Sequence, residues 1–282
     1  MKYFFIKFYS IIIIVILYAI NTFAQSSLHK QKEFADSLFN AANYFDAITE
    51  YKRLEFFDKD SSYSFQTYLQ IGMCYKHGAF FDEAIKYFSK AAWRVESKEE
   101  LFDTKIQIVR SNILRRTTQQ SIFLLDQLAK EFMDDNYQME ILYWRGWSFI
   151  FANEWGKAAH EFEKIDQNHE LKILCNQVED EKYSVTFAKV ISYILPGFGQ
   201  IYTGNVLSGL MSLGWNLLWG YTAVTAFKEN RNFDGIAVGS MLWMRFYRGN
   251  IQNAQKFVEK RNTDITNKTL RYLQNDFNGV KP

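Results

Sequence analysis

Tyr68–Ala91, YLQIGMCYKHGAFFDEAIKYFSKA, is the stretch whose reading decides the fold. Tyr68, Ile71, Gly72 and Tyr75 recur at the three- and four-residue spacing of one helix face, and Ala84, Phe88 and Ala91 do the same further on. Steps of 37 residues from Ala84 reach Ala47, Ser121 and Ala158. The same step carries Gly72 to Ala35, Val109 and Gly146, and Phe88 to Tyr51, Leu125 and Phe162. It also aligns Leu54, Ala91, Leu128 and Ile165, then Tyr44, Phe81, Thr118 and Trp155, then Leu38, Tyr75, Asn112 and Phe149. Small residues in two columns let two helices approach closely, and the large apolar residues beside them fill one face of each. The chain therefore contains four helix pairs in register, the third of them degenerate in residue type.

The pattern of aromatic, Leu-Gly, Tyr, Ala and Phe resembles the tetratricopeptide repeat, and Tyr68, Ile71-Gly72, Tyr75, Ala84, Phe88 and Ala91 carry the resemblance. It covers residues 28–168. Two features depart from the family: the period is 37 rather than about 34, and the Pro that usually closes each repeat is missing. The extra residues are expected in the links between successive pairs. The resemblance implies a superhelix whose inner face is lined by the first helix of each pair. Its inward positions here are Lys32, Asp36, Phe39 and Asn40, then Leu69, Met73, Lys76 and His77, then Ile106, Arg110, Ile113 and Leu114, then Tyr143, Trp147, Ile150 and Phe151. That face reads as a groove for a protein partner. The competing reading is that a capping helix over 170–183 covers Trp147, Ile150 and Phe151.

Composition changes along the chain. Nine of the 14 glycines fall between Gly197 and Gly249, and the only prolines are Pro196 and Pro282. Residues 1–24 have the basic start, apolar core and small-residue end of a secretory signal peptide, with an uncleaved anchor as the alternative. Repeats and cap are expected over 25–185, a membrane domain over 186–250 and an amphipathic tail over 251–282. Val206–Phe227 carries no charge and 233–247 is a second apolar segment, which together predict a transmembrane helical hairpin. A third span over 187–202, broken in the middle, is the alternative. Pro196, Gly197, Gly199, Gln200, Tyr202 and Gly204 form a Pro-Gly-x-Gly-Gln-x-Tyr-x-Gly pattern that resembles the opening motif of bacterial two-helix membrane domains; Tyr247-Arg248-Gly249-Asn250 resembles their closing element. Gln200, Tyr202 and Asn250 read either as a polar site or as residues that shape a turn. Gly204, Ser208 and Ser212, with Gly235 and Gly239, form small-residue seams suited to helix packing or to a homo-oligomer.

No chemistry is legible. The four histidines lack metal-ligand spacing, and no nucleophile, phosphate-loop or zinc-protease motif occurs. No cofactor and no metal are expected. A net charge of +2, from 33 basic and 31 acidic residues, gives no electrostatic case for nucleic acid. Cys74 and Cys175 read as buried hydrophobes, with a disulfide as the alternative. The expected whole is an all-α chain: a tetratricopeptide-type superhelix facing the periplasm, followed by a hairpin in the inner membrane and in contact with its lipid. Its expected function is that of a noncatalytic scaffold for an envelope protein. The alternative is a subunit of a membrane transporter or membrane enzyme.

Overall fold

The computed structural model describes residues 27–282; the expected signal peptide lies outside them. Every regular element among the described residues is helical. Internal packing divides the chain into two units, the first ending at Lys172 and the second running from Ile173 to Lys281.

The first unit holds α1 (27–40), α2 (Tyr44–Phe57), α3 (Ser64–His77), α4 (Phe81–Ala92), α5 (Lys98–Leu114), α6 (Thr118–Glu131), α7 (Asp135–Phe151) and α8 (Trp155–Ile165). Each helix packs against the next, and α5 also packs against α7. Within pairs the small and large columns face each other across the turn. A Cβ on Gly72 would lie 2.6 Å from the Phe88 ring, and one on Gly146 2.5 Å from Phe162. Ala47, Ala84, Ser121 and Ala158 are all fully buried, as are Phe88, Leu125 and Phe162. Polar residues of the third repeat are satisfied internally: Ser121 Oγ donates to Ser148 Oγ (2.8 Å), and Asn112 Oδ1 accepts from Thr117 Oγ1 (2.8 Å).

The turn inside each pair repeats as faithfully as the core. Ala42, Ala79, Arg116 and Asn153, spaced by 37, adopt left-handed backbone with φ of 59°, 61°, 63° and 62°. The next amide then reaches back five residues, from Asn43 to Leu38 O, Phe80 to Tyr75 O, Thr117 to Asn112 O and Glu154 to Phe149 O, at 2.9–3.0 Å. This Schellman closure satisfies the last carbonyls of the first helix. The links within pairs (41–43, 78–80, 115–117, 152–154) are constant, whereas those between pairs shrink from 58–63 to 93–97 to 132–134. The extra residues thus sit in the first link but lengthen α5 and α7, to 17 residues against 14 in α3.

The second unit contains most of α9 (Glu170–Glu181), then α10 (Val185–Ile194), α11 (Phe198–Tyr202), α12 (Val206–Lys228), α13 (Asn232–Ala237), a π-helical segment (Val238–Trp243) and α14 (Met244–Asn275). The expected transmembrane hairpin is not there: among the described residues no helix is long and apolar enough to cross a membrane. In α12 freedom from charge had stood in for apolarity. Asn216, Ser208, Ser212, Thr222, Thr225, three glycines and two tryptophans dilute its leucines. The second segment carries Asp234 and Arg245 and runs on into the polar α14. The alternative span over 187–202 is two short helices broken at Pro196-Gly197. Inner-membrane anchorage through this hairpin is therefore overturned.

The Gly235 and Gly239 seam packs within the chain. A Cβ on Gly235 would meet Phe227 and one on Gly239 would approach Ala223, so α13 and the π-segment lie close on α12. The other face of α12 leaves Leu207, Leu210, Leu217 and Tyr221 exposed.

Opposite substitutions in the second repeat test this packing. Gly72→Ala overfills the contact with Phe88 and should cost about 1–3 kcal/mol in chemical denaturation. Ala79→Gly relieves left-handed backbone and should add about 0.5–1 kcal/mol. Neither change should alter helix content.

Candidate functional site

The first helices of three successive pairs enclose a cleft of about 340 Å³, lined from α1 by Phe39, from α3 by Phe65, Leu69 and Met73, and from α5 by Asp103 and Gln107 among others. Leu69 and Met73, expected on the inner face, are half-buried in its wall. Phe65, Asp103 and Gln107 were missed, although Asp103 stands one period before Glu140 in the sequence.

The other expected groove residues divide by what they touch. Lys32 Nζ pairs with Asp36 (2.6 Å), and the Asp36 carboxylate also accepts from the buried Tyr51 hydroxyl (2.6 Å). Burial and that carboxylate push the Tyr51 phenol upward in pKa. Asn40 is exposed. His77 stacks on Tyr44 with ring centroids 4.9 Å apart, and its pKa is lowered by burial and by Lys76 and Arg110. Lys76 Nζ donates to Gln107 Oε1 (3.1 Å), which joins α3 to α5 across the cleft. Burial, helped by the Arg110 charge, pulls the Lys76 amine down to about 7. The Arg110 guanidinium lies 4.8 Å from the Trp144 ring centroid, and burial lowers its pKa.

Toward the fourth repeat the face closes. Trp147 is 2% exposed and Ile150 1%, so a ligand reaches neither without displacing their neighbours. Half-buried Tyr143 packs edge-on against Trp144 and Phe162, and burial raises its pKa. Phe151 is half-buried, with the Arg116 guanidinium 5.9 Å from its ring. Ile106 and Ile113 are core residues. The accessible part of the face is therefore the stretch around Leu69 and Met73.

In the second unit the two motifs meet at Asn250, which is 2% exposed. Its Oδ1 accepts from the Gly197 amide (2.7 Å), Gln200 Nε2 (3.0 Å) and Ser212 Oγ (3.1 Å), while its Nδ2 donates to Ser192 O (2.9 Å). Pro196 ends α10; Gly197 (φ 99°) turns the chain so tightly that a side chain there would strike the Gly209 carbonyl. Gly199 packs under Ser192, whose hydroxyl accepts its amide proton at 3.1 Å. The Tyr202 hydroxyl accepts from the Ser184 amide (3.3 Å), and Gly204 (φ 84°) closes α11. These residues bind backbone and one another, the arrangement of a shaped turn.

No three His, Cys, Asp or Glu side chains among the described residues are placed to hold a metal ion. Cys74 and Cys175 are free and buried, and burial pushes both thiols up to about 12.

No family model matches the chain, and no solved structure matches it. It is similar to an uncharacterized protein of Methanocaldococcus jannaschii, 36% identical over 59 residues, which is 20% of this chain and 60% of that one.

The depressed Lys76 makes a pH prediction. The folded state binds its proton only below about 7, whereas the unfolded chain holds it to near 10.5. This group's penalty on folding is thus full below 7 and fades as pH rises toward 10.5. Lys76→Met should raise the melting temperature more at pH 6 than at pH 10; equal shifts would contradict the assignment.

Proposed function

We propose that the repeat unit is a noncatalytic scaffold that binds a protein partner through the face formed by the first helices of its pairs. The observation that carries this reading is the open cleft between α1, α3 and α5, floored by Phe39, Phe65, Leu69 and Met73. Half-buried apolar side chains backed by rigid helices suit an extended polypeptide, because the helices do not have to reorganise to receive it. The resemblance of the Tyr68–Ala91 pattern to tetratricopeptide repeats supports the same reading. Leu69, Met73, Lys76 and His77 are its central residues, with Lys32, Asp36, Asn40 and Arg110 at its margins.

A photo-reactive residue placed at Met73 in the full chain should form one dominant adduct in cells. The same residue at Phe45, exposed on α2, should not form it, and Leu69→Glu should abolish the adduct without loss of helix content. Equal labelling from both positions would contradict a groove-based scaffold.

A further inference from the structure

The cleft has an apolar floor and an acidic rim that forms no ion pair among the described residues, although the Arg110 charge acts on Glu140. Glu99, Glu100 and Asp103 occupy neighbouring turns of α5, and Glu140 holds on α7 the position that Asp103 holds on α5. All four are carboxylates on one side of the first-helix face, and among the described residues none pairs with a Lys, Arg or His. Glu140 accepts one neutral hydrogen bond, from Trp144 Nε1 at 3.0 Å. The Asp103 carboxyl is raised above its ordinary value by burial and then by Glu140, Glu99 and Glu100, as expected for crowded carboxylates. A second feature points the same way. Gln70, also in the cleft wall, has its amide oxygen buried with no hydrogen-bond donor. Among the described residues that acceptor is left unmatched beside the apolar floor, and a donor reaches it only if the wall shifts to admit one.

We infer that the cleft between α3 and α5 takes a basic–apolar segment of a partner protein, with a Lys or Arg side chain against Asp103 and Glu140 and an apolar side chain on Leu69 and Met73. This rests on the scaffold reading and adds the chemistry of the bound segment. Charge complementarity selects the occupant. An acidic segment would add to the repulsion already present at Asp103, whereas a cation relieves it and brings the N–H donors that the rim and Gln70 accept. The apolar floor supplies the remaining contact and excludes water from around the ion pair. Because the rim is exposed, its contribution falls with added salt.

The test uses the full chain and three fluorescent ten-residue peptides that share spaced leucines and differ only in having Lys/Arg, Glu or Ser between them. Fluorescence anisotropy should show the basic peptide binding at least about tenfold more tightly than the acidic and neutral ones. Asp103→Asn with Glu140→Gln should remove that preference, and raising salt should weaken it. Asp103→Asn relieves repulsion, whereas Glu140→Gln gives up an attraction to Arg110, so unchanged helix content and a cooperative melt of the double variant separate a lost site from a lost fold. Equal binding of all three peptides, abolished by Leu69→Glu but indifferent to Asp103→Asn, would overturn the charge assignment and leave the scaffold reading standing. No binding by any peptide, with the fold intact, would overturn both.

Discussion

Everything in the repeat unit depends on how closely two antiparallel helices can approach at a point sixteen residues apart in sequence. The volumes at that crossing are complementary in each pair: Ala35 with Tyr51, Gly72 with Phe88, Val109 with Leu125 and Gly146 with Phe162. Where the first helix offers no side chain, the second supplies a phenyl ring; where it offers a branched one, the second supplies only Leu. The sum stays nearly constant, so the helix separation does too, and all eight residues are buried. A core close-packed in this way tolerates exchange between facing positions but not a net gain in volume. With the crossing fixed, the first helices of successive pairs come side by side, and the cleft at Leu69 and Met73 is the surface they share.

Much of this was legible because a period of 37 leaves a signal in every column. The helix pairs and their small-residue contacts follow from spacing, and the inner-face placement of Leu69 and Met73 from the resemblance to tetratricopeptide repeats. The turns were not legible, because left-handed positions are usually marked by Gly or Asn and here are held by two alanines, an arginine and a single asparagine. The cleft's rim was also missed. Asp103 and Glu140 lie one helical turn before the positions expected to face inward; Asp103 lines the cavity, and Glu140 on α7 stands close enough to raise its pKa. Trp147 and Ile150 are buried; the sequence offered an open and a covered end for them, and periodicity alone does not choose between the two.

The second unit shows why a charge-free run is weaker information than a periodic one. Val206–Phe227 lacks charge, yet its side chains include an asparagine that is 4% exposed and donates to Ser212 O at 2.8 Å. Polar residues that serve local packing lower the helix's apolarity below what a bilayer requires. The same unit gave a clearer outcome at its motifs. Pro196-Gly197 and Asn250, more than fifty residues apart, were singled out separately, and the Asn250 side chain joins them through bonds from Gly197 and Gln200, with two more to Ser212 and Ser192. A buried amide bonded at both its oxygen and its nitrogen stabilises through that satisfaction, since each partner left unmatched would carry a desolvation penalty.

The central claim is that four unequal sequences adopt one helix-pair geometry, and amide hydrogen exchange on the full chain tests it most directly. The amides of Asn43, Phe80, Thr117 and Glu154 each close the turn of their pair. The account predicts strong protection at all four, including Thr117 in the degenerate third repeat, where the sequence pattern is weakest. Exchange at Thr117 as fast as in an unstructured peptide, with the other three protected, would contradict a common geometry and leave three pairs rather than four.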